Sequence, residues 1–347
     1  MSLPRVAEPP GEVTPYVVPA YQGETLTIPG TKSTDRVLAS AKESEGSISV
    51  FHFDGVLGDP VGFHHHNEAH DIFMCTRGYI KVWAGDQCRL LGPGDFCSVP
   101  PKVIHRPQLV GPWNESLGLV TPGKWVEFFR FASEKYNGLL TNEFDSRNTL
   151  QHMVPKFQTI QDEYDVIFDP GHPVCEVGAW TERDTKIADG VQPYYLRADT
   201  GPRNLLGGVL SRPFITTKQS DGGKFAITSI ESSSEYPPTV LGKPFAFKKV
   251  HQVYHVLDGA INVIIDGIAN QVRAGETVFI PVGTEISIHF LDRYVRFWSF
   301  ASGDGLESFV RFGGREYEGK IIPDKADPVD DAKVLRAAEN INMKVSI

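Results

Sequence analysis

Three turn residues occur twice in this chain at one fixed distance. Gly78 and Gly259, Gly94 and Gly275, and Pro100 and Pro281 are each 181 residues apart. The neighbouring text agrees: MCTRGYIKVW stands against HVLDGAINVI, and LGPGDFCSVP against VRAGETVFIP. A constant offset across three turn positions, without a gap, implies a duplicated domain. The chain must therefore adopt a fold that one unit can build twice. A length of 347 residues also favours two domains over one.

The repeated unit reads as all-β. The first copy runs through ISVFHF, DIFMCTR, YIKVWAG, DFCSVP, SLGLVTP and KWVEFFRFA, each bounded by Gly, Pro, Asp or Asn. Short apolar runs between such residues are the pattern of strands and tight turns. The second copy runs from LGGVLSRPFI to YVRFWSFAS. Five segments result: an N-terminal arm (1–34), a first barrel (35–135), a partly helical connector (136–204), a second barrel (205–315) and a tail (316–347). The connector carries RNTLQHMVPKFQTIQDEYDVIF, helical in spacing and broken at Pro155, then the loop-like FDPGHPVCEV. Asp327 and Pro328 suit the start of a terminal helix in the tail.

Charge and cysteine usage exclude several classes. With 34 basic and 43 acidic residues and no basic block, neither nucleic acid nor an anionic membrane is an expected partner. Cys75, Cys88, Cys97 and Cys175 form no CxxC pair. That argues against a zinc ribbon and for a reducing compartment. The N-terminus lacks the apolar core of a signal peptide and no run approaches ~20 apolar residues, so a cytoplasmic protein is expected. Asn114-Glu115-Ser116 matches a glycosylation sequon, read as chance.

The chemistry concentrates in GDPVGFHHHNEAHDIFMCTRG, residues 58–78, which holds four of the eleven histidines. Side chains alternate along a strand, so His64 and His66 share a face and His65 points away. His105, in SVPPKVIH, suits a third ligand from another strand. Asp71 opens the next strand, as a fourth ligand or as a base beside the metal. Three imidazoles and a carboxylate suit one divalent first-row transition ion. His70 is the rival for Asp71's place, but strand parity turns only one of them inward. Phe73 and Cys75 share Asp71's parity and line either a substrate pocket or the core. His65 and Glu68 read as outer-face or turn residues, His251 and His255 as structural, and Lys248 and Lys249 as a solvated turn.

The spacings are Gly-x5-His-x-His-x4-Asp-x6-Gly, from Gly58 to Gly78, and Gly-x5-Pro-x4-His, from Gly94 to His105. They resemble the two motifs of the cupin superfamily, with Asp71 where that pattern has Glu. The resemblance implies a duplicated cupin, or bicupin, in which each double-stranded β-helix (jelly-roll) barrel is one copy. HDIFMCTRGYIKVW and GDFCSVPPKVIH further resemble the fungal quercetin 2,3-dioxygenase family, with its barrel–connector–barrel layout. The likeness covers roughly residues 35–315.

A step of 181 residues from each expected ligand lands on Phe245, Phe247, Gln252 and Ile286, none a good metal ligand. One metal is expected, in the first barrel. The family implies copper, which the affinity order of such donors also favours; manganese, iron, nickel and cobalt are compatible with them too, and availability in the cell can override affinity. It also implies a flavonol and dioxygen as substrates. Asp71 takes the 3-hydroxyl proton, and the heterocycle opens to a depside with release of carbon monoxide. Two rivals stand beside this: another cupin enzyme acting on a different phenolic or polyketide, and a non-catalytic bicupin of the seed-storage kind. A monomer and a homodimer are both open.

Overall fold

A computed structural model describes residues 1–58 and 61–346. Asp59 and Pro60, within the histidine-rich stretch, and Ile347, at the end of the tail, lie outside the described residues. The chain divides into two compact units, Gln22–Thr200 and Met1–Tyr21 with Gly201–Ile347.

The unit Gln22–Thr200 is built from two antiparallel sheets. The larger has the order Glu134–Lys135, Glu24–Thr27, Ser33–Ala39, Ser49–Gly55, Asn114–Thr121, His70–Arg77, Phe96–Val99, Tyr194–Leu196. The smaller has the order Ile167–Phe168, His64–His65, His105–Leu109, Ile80–Ala84, Gln87–Leu91. Cys75, Cys97 and Tyr195 of the larger sheet pack with Ile80, Val82 and Leu109 of the smaller in one core. Burial of such alternating apolar faces is what drives two sheets together.

The other unit repeats the order of the larger sheet strand for strand, whereas its smaller sheet is divided into Phe245–Phe247 with Met343–Val345 and into Ile268–Arg273, Ala260–Ile265, Ser287–Phe290. Its large sheet runs Arg315–Glu316, Asn204–Leu206, Val209–Ile215, Ala226–Ser232, Val295–Ala301, Gln252–Asp258, Thr277–Ile280, Tyr16–Val18. The turn frame is equally faithful. Gly78 and Gly259 have φ of 71° and 69°. A Cβ at either would collide with a carbonyl oxygen, of Trp113 or of Tyr294. Only glycine satisfies both the left-handed backbone and the close approach.

The repeat reaches further than the sequence indicated. The stretch read as an arm divides between the units. Tyr16–Val18 pairs with Thr277–Ile280, Val17 opposite Val278, whereas Tyr194–Leu196 pairs with Phe96–Val99, Tyr195 opposite Cys97. Cys97 and Val278 occupy the same position of the two copies, so the leading strand of each copy completes the other unit's sheet. The connector and the tail are counterparts as well. Helix Phe157–Tyr164 ends in left-handed Asp165 and leads to Ile167–Phe168, which pairs with His64–His65. Helix Asp331–Asn340 is followed by left-handed Asn342 and by Met343–Val345, which pairs with Phe245–Phe247.

Some local readings change. KWVEFFRFA is not a strand but a 3₁₀ turn, Gly123–Val126, and a helix, Glu127–Ala132. Its aromatic richness suggests β, yet Trp125, Phe128, Phe129 and Ala132 recur at helical spacing and share one cluster. The DVIF end of the connector's helical run is a strand, Ile167–Phe168. The terminal helix is capped by Asp330, whose side chain accepts from Lys333 N at 3.1 Å. Asp327 instead pairs with Arg315 at 2.7 Å. Pro155 does break the connector's helices, within a 3₁₀ turn between Thr149–Met153 and Phe157–Tyr164.

Candidate metal centre

The ligand strand is only two residues long. His64–His65 lies between two neighbours, with His64 opposite His105 on one edge and opposite Phe168 on the other. His66 comes directly after it, its carbonyl accepting from Lys102 N at 2.6 Å. This register brings His64, His66 and His105 together, each offering a ring nitrogen within 4.8 Å of the others. Ring centroids are 5.2 Å apart for His64–His66 and His66–His105, and 4.4 Å for His64–His105. His66 and His105 are buried, whereas His64 is partly exposed.

Each imidazole is oriented through its other nitrogen. Nδ1 of His64 lies 2.9 Å from Gly62 O, and Nδ1 of His105 lies 2.9 Å from Val103 O. Nδ1 of His66 lies 2.5 Å from Asp165 O. A carbonyl only accepts, so all three Nδ1 atoms carry the proton and donate it, which leaves Nε2 to converge. Such hydrogen bonds fix tautomer and ring orientation in metal sites. Trp125 Nε1 also lies 3.3 Å from His66 Nδ1. Both are donors once Nδ1 is protonated, and the shorter carbonyl contact is the one that bonds.

Asp71 Oδ2 stands 3.2 Å from His66 Nε2 and 3.1 Å from His105 Nε2. The His66 contact meets the distance of an ion pair without hydrogen-bond geometry, and His66 Nε2 and Asp71 Oδ1 are buried without a hydrogen-bond partner. Two orphaned polar atoms at one buried spot are rare unless something else binds there. With three convergent imidazoles beside them, these residues fit one divalent metal ion. Asp71 is not in the mutually close set formed by the three histidines. Its shorter side chain reaches the His66–His105 side.

Burial pushes the His64 pKa well below its ordinary value, reinforced by the neighbouring His105 and His66. Burial also acts to lower His66, but Asp71 and the carbonyl of Asp165 outweigh it, so His66 is raised. Burial acts to raise Asp71, yet His66 and His105 hold its carboxyl well below the usual range, so it is ionised at neutral pH.

The remaining candidates divide clearly. His70 is not brought to the cluster: its Nε2 lies 2.8 Å from Ser98 Oγ, on the opposite face of the strand. His65 turns away and pairs with Asp169 at 2.6 Å, and Glu68 lies exposed beyond the strand. Phe73 stands near the site, its ring 6.2 Å from that of His105. Cys75 is only 1 % exposed in the core and its thiol faces the carbonyls of Arg77 and Gly78. Burial pushes that thiol up to about 12. The sequon residue Asn114 is buried, with its side chain bonded to Tyr79 N, Gly111 N and Gly55 O.

Three residues near the cluster were not singled out from sequence: Trp125, Asp165 and Phe168, the last with its ring 6.5 Å from that of His64. Asp165 and Phe168 belong to the connector. Their only sequence signal is weak, the match of a helix, a turn-forming Asp or Asn and a strand in YDVIF and INMKV.

In the second unit the same frame holds a core. Phe245 bridges to Ile286, the counterpart of the His64–His105 bridge, and Gly283 N donates to Phe247 O at 2.8 Å, as Lys102 N does to His66 O. Phe245, Phe247, Gln252 and Ile286 are all buried. His251 stacks on Phe279 at 5.7 Å, His255 Nδ1 lies 2.8 Å from Thr277 Oγ1, and Lys248 and Lys249 are exposed.

No family model matches the chain. Quercetin 2,3-dioxygenase of Aspergillus japonicus is 24% identical over 349 residues, covering 92% of this chain and 97% of its own. Quercetin 2,3-dioxygenase of Bacillus subtilis is 22% identical over 336 residues, covering 97% and 96%. Among solved structures, an oxalate decarboxylase superposes with a TM-score of 0.51 at 14% identity, covering 85% of this chain and 80% of its own. The Escherichia coli protein Ylba superposes with a TM-score of 0.52 at 10% identity, covering 84% and 92%. These structures carry the fold alone. No helix among the described residues is long and apolar enough to cross a membrane. Over nearly its whole length the chain resembles two quercetin 2,3-dioxygenases, and it shares the fold of these solved structures.

Proposed function

We propose that this chain is a metal-dependent dioxygenase that opens the heterocyclic ring of a quercetin-like flavonol with dioxygen, giving a depside and carbon monoxide. The observation that carries the reading is the convergence of His64, His66 and His105 beside an ionised Asp71, in a chain with two near-full-length quercetin 2,3-dioxygenase relatives. His64, His66 and His105 hold one divalent ion, copper being the first candidate. When bound, that ion would act as a Lewis acid that lowers the pKa of a hydroxyl placed beside it, favouring the deprotonated, electron-rich form of the substrate.

The protein's own groups supply the rest. Asp71 Oδ1, which has no hydrogen-bond partner, accepts the proton of the flavonol 3-hydroxyl. Its depressed pKa makes it a weak base, so transfer depends on that hydroxyl being acidified first. Phe73 and Phe168 offer apolar faces beside His105 and His64, suited to a planar aromatic substrate. Mixing the metal-loaded chain with quercetin in air should bleach the flavonol's visible absorbance and release carbon monoxide. No bleaching by a fully metallated chain would overturn the flavonol assignment.

A second reading draws on Asp71. Because it approaches two of the three histidines rather than all of them, the chain could act on a different phenolic or polyketide with the same metal. Turnover of another catechol-like or phenolic substrate by the metallated chain, in the absence of flavonol bleaching, would establish it.

A further inference from the structure

One connector residue takes hydrogen bonds from three consecutive residues of the ligand segment. Asp165 O lies 2.5 Å from His66 Nδ1. Its carboxylate spans the next two amides, accepting from Asn67 N at Oδ1 and from Glu68 N at Oδ2, each at 2.8 Å. The strand being held is only His64–His65, so it has little pairing of its own to fix the residues after it. His66 lies beyond the strand's end, and its ring is oriented from the connector.

The geometry demands a particular residue. Asp165 closes helix Phe157–Tyr164 in the left-handed region, at φ 54° and ψ 39°. Among residues with side chains, only Asp and Asn enter that region readily. Only a carboxylate offers two acceptors to two adjacent N–H groups, since an amide presents an acceptor and a donor. The metal-free copy provides a control. Asn342 occupies the corresponding place with φ 53°. There its carbonyl accepts from Lys248 N at 3.0 Å, and Phe247 stands where His66 would be. The left-handed turn is common to both copies, whereas the imidazole partner of the carbonyl and the two-pronged carboxylate belong to the first unit.

We infer that Asp165 is a positioning residue that clasps residues 66–68 and sets the tautomer and orientation of His66 for metal binding. This rests on the metal centre proposed above but not on the identity of the substrate. The test is cobalt(II) titration of the metal-stripped full chain, read by visible absorption, for wild type and Asp165→Asn, Asp165→Gly and Asp165→Ala. Asp165→Gly keeps the left-handed backbone and the carbonyl but removes the carboxylate; Asp165→Ala also disfavours the backbone. The loss in cobalt affinity should grow in the order Asn, Gly, Ala, reaching about 10- to 100-fold for Ala, with a shifted cobalt spectrum. Asn, which retains one amide acceptor, should be nearest to wild type. If Asp165→Ala does not fold, the Gly and Asn variants carry the test. Equal affinity and an unchanged spectrum across the folded variants would overturn the clasp. A wild-type chain that binds cobalt but does not bleach quercetin when metallated would remove the flavonol reading and leave the clasp intact. A wild-type chain that binds no cobalt would remove both.

Discussion

The two barrels share a frame and differ in what fills it. His64 faces His105 in one as Phe245 faces Ile286 in the other. The same turn amide reaches back to the next residue along, from Lys102 to His66 and from Gly283 to Phe247. Yet one interior gathers three imidazoles and a carboxylate, and the other a continuous apolar cluster. Strand pairing and left-handed turns specify the barrel, and the inward side chains are free to make either a site or a core. The burden of support differs as well. Phe245 and Phe247 need only to be packed. Each imidazole needs a carbonyl behind it, and His66 draws its own from the connector.

The largest expected effect comes from carrying one interior into the other. Replacing His64, His66 and His105 by Phe, Phe and Ile should yield a folded chain with no bound metal and no dioxygenase activity. Circular dichroism and elemental analysis would check this. A variant that fails to fold would mean that the first frame tolerates only its polar interior. Asp71→Asn should keep the metal while lowering turnover by about 10²- to 10⁴-fold, the usual range for a lost general base. Asp71→Glu, which keeps the carboxylate and lengthens it by one methylene, should retain far more activity than Asp71→Asn. Steady-state kinetics on metallated protein would separate them.

In the metal-free barrel, Phe247→Ala should destabilise the chain by roughly 3–5 kcal/mol through loss of a buried aromatic, with metal content unchanged. Denaturant unfolding and elemental analysis of one preparation test both halves.

Acidity should weaken metal binding in the first barrel. Metal binding needs neutral imidazoles, so protons compete below the pKa of His66. Burial acts to lower that pKa, but Asp71 raises it above the ordinary value of 6.5. Metal affinity should therefore begin to fall while the pH is still near neutral and continue falling toward pH 5. Asp71→Asn removes the main raising cause, so the decline should move to lower pH. Metal titration across pH in both proteins would show it.

The smallest effect concerns the shared turn. Lys102 adopts φ 67° where the second copy has Gly283 at 78°. Lys102→Gly should relieve left-handed strain of about 1 kcal/mol and lose a similar amount to unfolded-state entropy. Stability should change by less than about 1 kcal/mol, measured by thermal unfolding.

Much of the fold is legible in the sequence because turn glycines are backbone requirements. Gly78, Gly94 and their counterparts announce the frame whatever surrounds them, and a His-x-His on a strand can be placed by alternation alone. The metal-free copy is legible for the same reason. The features hidden from sequence depend on pairing across distance. That Tyr16–Val18 completes the second sheet, and that the connector braces His66, comes from register rather than from local pattern. The helix at Glu127–Ala132 escapes sequence reading because aromatic residues serve strands and buried helix faces alike. His70 and Asp71 are neighbours in sequence, and contacts across distance separate their roles, His70 with Ser98 and Asp71 with His66 and His105.

A single metal site built on His66 is tested most simply by the metal content of the purified chain beside that of His66→Ala. About one divalent ion per wild-type chain is expected, and none above background in the variant. Two ions per chain, or one retained after His66→Ala, would contradict a single histidine site in the first barrel.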